Sequence, residues 1–211
     1  MEKIKKFKTP IITTIVCLLP IVYGLLIWDK LPAEVPTHWN AAGEIDGYSS
    51  KAFAVFGLPS ILAGLNLICQ IAMGADPKQK NYSEKIKMLV VWIVPVMNLI
   101  LSPMMLLAAQ GVEVDVALIV PLMCGILFLI IGNYLPKCKQ NYTMGIKVPW
   151  TLNSEENWNK THRLAGFIWT IGSIIIILTT LLGYPLVMLP IVLVMAFVPI
   201  IYSYMLYRKG I

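Results

Sequence analysis

The sequence predicts an all-α, polytopic membrane protein of about six transmembrane helices with both termini in the cytoplasm. Three observations predict it: an apolar composition, uncharged runs of spanning length, and cations gathered on one side of those runs. Of 211 residues, 58% are hydrophobic and 13% charged, against about a quarter charged in ordinary soluble domains. The mean hydropathy is +0.75. Such a chain needs the bilayer as its solvent.

A hydrocarbon core about 30 Å thick takes roughly 20 apolar helical residues to cross. Five uncharged runs reach that length: Thr9 to Trp28, Ala52 to Ala75, Met88 to Val112, Val116 to Pro136 and Leu164 to Tyr207. The last holds 44 residues, about 66 Å of helix and twice the core. Gly183-Tyr184-Pro185 breaks it near the middle, so it counts as two spans and the total is six. A cation at the bilayer centre costs roughly 2.5 to 3.5 kcal/mol, so charges mark the connections.

With six spans, 15 of the 17 Lys and Arg residues fall on one side, leaving Lys30 and Lys51 on the other. The positive-inside rule makes the crowded side cytoplasmic, which requires an even number of spans. The net charge of +6 is then a consequence of orientation. No basic stripe interleaved with aromatics suggests direct nucleic-acid binding. The first run lacks a small-x-small cleavage site before Asp29 and reads as an uncleaved helix.

The expected organisation is a cytoplasmic N-terminus at 1–8, two spans over 9–75 with an external loop at 29–51, and a region 76–211 of four spans with a cytoplasmic loop at 135–163. Cys17, Cys69 and Cys124 lie in spans and Cys138 in a cytoplasmic loop, so no disulfide framework and no metal-ligand spacing is expected. Asn-x-Ser/Thr triplets at Asn81, Asn141 and Asn159 fall on the cytoplasmic side and read as chance matches.

The external loop carries proline steps at Leu31-Pro32 and Val35-Pro36, then Gly43 and the Asp46-Gly47 turn pair, a pattern for a compact folded lid. His38, Trp39 and Asn40 with Glu44 and Asp46 place an imidazole, an indole and two carboxylates close together. That allows structural hydrogen bonding with aromatic anchoring, binding of an external peptide, or acid/base and metal chemistry, but the spacing fits no metal signature. In the cytoplasmic loop, Pro149 cannot sit inside a helix. Asn153 or Ser154 is a candidate N-cap, with Glu156 in capping-box position to Asn153. A helix should start there, with Glu156 and Lys160 paired at i,i+4 and Trp158, His162, Ala165 and Trp169 on one face as an interfacial stripe.

Within the spans, Asn66 with Gln70 and Asn98 with Ser102 read as interhelical hydrogen-bonding groups. No Asp, Glu, Lys or Arg lies deep in a span, which disfavours a proton-coupled pump. The span prolines imply kinks, and no internal repeat of the inverted-transporter kind is visible.

Two stretches together are recognisable. PTHWNAAGEIDGYSSK resembles the DUF1648-type segment found near the start of many bacterial multi-spanning proteins. GNYLPKCKQNYTMGIKVPWTLNSEENWNKTHRLAG, from Gly132 to Gly166, resembles the signature of the SdpI family of bacterial immunity proteins. The resemblance implies a membrane protein that protects against a secreted membrane-active toxin peptide and that, once toxin is present, holds a small DNA-binding repressor at the membrane. Binding is then the activity, with no cofactor. The positions carried over are Asn133, Pro136, Asn141, Gly145, Pro149, Trp150, Thr151, Leu152, Trp158, Thr161 and His162 inside. Outside they are Pro36, His38, Trp39, Asn40, Gly43, Asp46 and Gly47, with Glu44 as a further toxin-binding candidate. A membrane-embedded peptide-processing enzyme using His38 or His162 with a nearby carboxylate, and a small-solute transporter with a cavity near Asn66 or Asn98, are the competing expectations.

Overall fold

In the computed structural model residues 2–211 are described, with side chains from Lys8 onward. The side chains of Lys3, Lys5 and Lys6, used in the charge argument, lie outside the described residues. The elements run α1 (Glu2–Leu26), β1 (Glu34–Trp39), β2 (Ile45–Ser50), α2 (Leu58–Ala75), α3 (Glu84–Ala109), α4 (Val116–Tyr134), α5 (Pro149–Asn153), α6 (Glu155–Leu181) and α7 (Met188–Arg208). Six helical segments are long and apolar enough to cross a membrane: Lys8–Leu26, Phe53–Ala75, Glu84–Ala109, Val116–Lys137, Glu155–Leu181 and Pro185–Arg208. Each coincides with an apolar run, and the 44-residue run divides at Gly183, whose φ of +86° needs glycine.

The all-α expectation is corrected in one place. The 29–51 segment is folded, but as an antiparallel two-stranded hairpin. Its turn is not at Asp46-Gly47, which lies within β2. It is at Asn40 to Gly43, where Gly43 N donates to Asn40 O at 3.0 Å and Gly43 takes φ +83°. The Asn40 side-chain oxygen accepts from Ala42 N at 2.9 Å and Glu44 N at 3.0 Å. An Asx turn closed by a left-handed glycine joins the two strands. Gly47 has another use: a Cβ there would lie 2.8 Å from the Cβ of His38, at the register shift in β1.

The chain forms two compact units, one of residues 1–74 and 87–115, the other of 75–86 and 116–211. In the first, Leu31 and Val35 at the hairpin base bury against Ala54, Val55 and Leu106, with Tyr23, Ile27 and Trp28 packed around them. Lys51 fastens the base, its Nζ donating to Trp28 O at 3.0 Å and Leu31 O at 3.2 Å. Interhelical amides act as expected for polar groups in lipid. Asn98 Nδ2 donates to Cys17 O at 2.7 Å and Gln70 Nε2 to Thr13 Oγ1 at 2.9 Å. Asn66 departs from this, being buried with neither amide atom paired.

In the second unit, small residues let helices approach closely. A Cβ on Gly132 of α4 would stand 2.9 Å from Thr170 N, and one on Gly166 of α6 would meet Gly132 O at 2.8 Å. Gly172 admits Met195 and Ile191 of α7 in the same way, and Trp169 Nε1 donates to Met195 O at 2.9 Å.

Candidate functional site

Two places gather polar side chains. The larger is in the second unit, where the connection from α4 to α6 folds over the segment joining α2 to α3. A loop this long must satisfy its backbone groups without a ladder, and here side chains do it. Asn141 is fully buried. Its Oδ1 accepts from Thr143 N at 2.9 Å and Met144 N at 2.6 Å, while its Nδ2 donates to Lys139 O at 2.9 Å. Gln140 Nε2 donates to Thr151 O at 2.8 Å and Leu152 O at 3.0 Å, serving carbonyls that the one-turn helix α5 leaves open. Thr151, also fully buried, accepts from Val148 N at 3.1 Å and donates to Ile146 O at 2.8 Å.

Across this loop lies Asp76, directly after α2 and 3% exposed. Its carboxylate accepts from Lys78 N at 2.7 Å, Tyr142 N at 2.9 Å, Thr143 Oγ1 at 2.8 Å and the Tyr82 hydroxyl. Burial works to raise this carboxyl, but the bonds from Tyr82, Thr143, Lys78 and Tyr142 outweigh it and hold it below the usual carboxylate range. Burial and the same carboxylate push the Tyr82 phenol up to about 12. Lys78 Nζ also donates to Gln140 Oε1, and Asn81 Nδ2 to Gln140 O at 2.7 Å. The 76–82 and 138–143 segments are therefore tied together within the second unit.

Beneath the loop, Trp158 and His162 of α6 are fully buried and stacked, with ring centroids 4.0 Å apart. The interfacial stripe is thus corrected for these two. One turn of helix placed under a folded loop faces protein, not headgroups. Trp158 Nε1 donates to Cys138 O at 2.7 Å. Ile146 N lies 2.9 Å from His162 Nε2, and His162 Nδ1 lies 2.8 Å from Trp158 O. An amide can only donate, so Nε2 is the acceptor and Nδ1 carries the proton. Both ring nitrogens are spent, leaving His162 no free lone pair for a base or ligand role. Gly145, at φ +105°, brings the loop over the rings, since a Cβ would lie 3.0 Å from two Trp158 ring atoms. Burial pushes the Cys138 thiol up, so it is poorly nucleophilic.

The remaining signature positions are placed around this core. Ser154, not Asn153, caps α6, accepting from Asn157 N at 3.1 Å, while Glu156 and Lys160 form the expected pair at 2.7 Å. Pro149 opens α5 at its first position. Trp150 Nε1 donates to Ser203 Oγ at 2.6 Å, and its ring stacks on Tyr207 with centroids 6.0 Å apart. These two rings wall a cleft of about 530 Å³. Thr161 is buried and donates to Asn157 Oδ1 at 3.1 Å, and Asn157 in turn donates to Ser203 O at 2.9 Å. Leu152 lends its carbonyl to Gln140, Pro136 packs on Gly166, and Asn133 is exposed near the end of α4.

The second place is the hairpin. His38 Nδ1 and Asp46 Oδ1 are 2.5 Å apart across the strands, with side chains 71% and 44% exposed. Asn40 Nδ2 donates to Glu44 Oε2 at 3.0 Å. Pro36 and Trp39 belong to β1, and Asp46 and Gly47 to β2. Among the described residues no three His, Cys, Asp or Glu groups are arranged to hold a metal ion.

Asp76, Tyr82, Gln140, Asn157 and Ser203 were not singled out in the sequence. Asp76-Pro77 marks the end of a span, but no local pattern points to a partner 66 residues later.

Comparison with known proteins follows the same two regions. Residues 137–203 match the SdpI/YfhL protein family, and residues 15–63 match a domain of unknown function, DUF1648. The chain is 28% identical over 205 residues to the immunity protein SdpI of Bacillus subtilis strain 168, covering 96% of this chain and 97% of that protein. No solved structure matches the chain.

Proposed function

We propose that this SdpI-like membrane protein confers immunity to a secreted, membrane-active peptide, meeting it with the 34–50 hairpin outside and signalling through the 135–163 loop inside. Both termini are then cytoplasmic, an orientation supported by the partition of 15 of the 17 cations.

The observation that carries the reading is the chemistry of the hairpin. In a chain of net charge +6, the 29–51 segment holds Asp29, Glu34, Glu44 and Asp46 against Lys30 and Lys51, and the Lys51 charge is turned inward onto two carbonyls. The exposed surface is acidic, with Tyr48 and Ile45 outward, and suits a cationic amphipathic peptide. The interior loop is locked by hydrogen bonds with no open catalytic histidine, which suits a binding platform. The Trp150–Tyr207 cleft is its candidate seat for a DNA-binding repressor.

Expression of the chain in a bacterium sensitive to such a peptide tests immunity, which predicts survival above the vector control. Unchanged survival rejects the reading. Maleimide labelling of Ala41→Cys and Lys147→Cys variants in intact cells tests orientation. The first should react from outside and the second only after permeabilisation, and reaction of both from one side rejects the topology.

A further inference from the structure

The two outer edges of the hairpin differ, that of β1 being interrupted by a proline. Lys51 N donates to Ala33 O at 2.9 Å, which makes Ala33 and Lys51 a hydrogen-bonded pair. Antiparallel ladders alternate. Along the observed register, Glu34 and Ser50 are therefore a non-bonded pair, Val35 and Ser49 a bonded one, and Pro36 and Tyr48 non-bonded. Groups of non-bonded pairs point away from the partner strand. On β1 the outward residues are Glu34 and Pro36, the latter without an N–H, and the register shifts on either side of His38. On β2 the outward groups are the N–H and C=O of Tyr48 and the N–H of Ser50, whose carbonyl opens the helical segment that starts at Lys51 and whose Oγ accepts from Phe53 N at 3.3 Å. Among the described residues the sheet has two strands only, so no third strand covers them.

We infer that the outer edge of β2 takes an extended cationic peptide as a third strand, an inference that rests on the immunity reading for its biological setting. Main-chain bonds to Tyr48 and Ser50 supply register, and alternate side chains supply selectivity. Tyr48 and Ser50 share one face, with Glu34 opposite Ser50, while Asp46 stands exposed at the register irregularity beside Gly47. Lysine or arginine at every second position of the added strand meets Asp46 and Glu34, and aliphatic stems cover Tyr48, which is 58% exposed.

The test uses the purified full chain in nanodiscs of neutral lipid, with empty nanodiscs as blank. The probe is a fluorescein-labelled six-residue peptide alternating Lys and Val, read by anisotropy. Binding is expected to weaken at least about tenfold when alternate probe amides are N-methylated, which keeps charge and bulk but removes strand donors. A matching peptide alternating Glu and Val should not bind. Tyr48→Pro, which repeats on β2 what Pro36 does on β1, should weaken binding about tenfold, while Tyr48→Thr keeps the N–H and binds more tightly than Tyr48→Pro. Equal affinity for the methylated and unmethylated probes overturns the inference without relying on any variant's fold. A disulfide-linked dimer of Tyr48→Cys that forms in place of probe binding also overturns it, by assigning the edge to a second copy. Native protection that persists in Tyr48→Pro rejects the edge but leaves immunity standing, whereas a native chain that binds the probe and gives no protection rejects immunity alone.

Discussion

Replacing Asp76 by alanine is the sharpest test of how the interior loop is held. The carboxylate is 3% exposed and accepts four hydrogen bonds, two from backbone amides and two from hydroxyls. Tyr82 is itself 7% exposed, so its hydroxyl would lose its acceptor where water does not easily replace it, at about 1–3 kcal/mol. The Thr143 hydroxyl and the Lys78 and Tyr142 amides are less enclosed and recover part of their loss from water, at about 1 kcal/mol each. The total is roughly 4–6 kcal/mol, at the upper end of single-substitution effects. Cys138 reports local opening, because its thiol is buried at 8% exposure and becomes reactive only when the loop lifts. In a background of Cys17→Ala, Cys69→Ala and Cys124→Ala, maleimide labelling of Cys138 should accelerate at least about a hundredfold in Asp76→Ala, since each 1.4 kcal/mol is about tenfold. Asp76→Asn keeps one oxygen acceptor and should fall between. Labelling of the alanine variant at the native rate would refute the view that this carboxylate latches the two segments together.

Acid should erase the same contribution. The Asp76 carboxyl is held below its ordinary value in the folded chain, so its stabilisation is present above the unfolded value of about 3.9 and is lost as pH falls through the folded one. The melting-temperature gap between the native chain and Asp76→Asn should stay level from about pH 7 to 5 and narrow below about pH 4; a constant gap down to pH 3 contradicts it. Gly145→Ala places a side chain at φ +105° with its Cβ 3.0 Å from the Trp158 ring, and should lower stability by at least about 2 kcal/mol in a thermal melt. Lys51→Ala removes two carbonyl contacts and a cation–π contact 4.5 Å above Trp28. At a partly buried site that is about 1 kcal/mol, seen as several-fold faster proteolysis between residues 40 and 44 with the helices intact.

Much of this protein was legible in one dimension because a bilayer is an unforgiving solvent. A charge at mid-membrane costs more than a neighbouring Leu or Ile recovers, so lengths of uncharged sequence fixed six spans and a Gly-Tyr-Pro break fixed where the longest divides. Helix starts with local chemistry, such as Ser154 ahead of two acids, were also readable to within a residue.

Tertiary structure decided what depends on residues far apart in the chain. The 29–51 segment shows its hairpin only once Asn40 closes an Asx turn and Val35 finds Leu106 of α3, 71 positions away. Trp158 and His162 have the spacing of an interfacial stripe, and only the loop folded across them, through Gly145 and Cys138, turns them into a buried stack. Asp76 looks like the polar end of a span until Tyr142 and Thr143 arrive to surround it. Hydropathy is additive along the chain and can be summed from sequence, whereas the worth of a polar group depends on which partner reaches it, and that is set by packing.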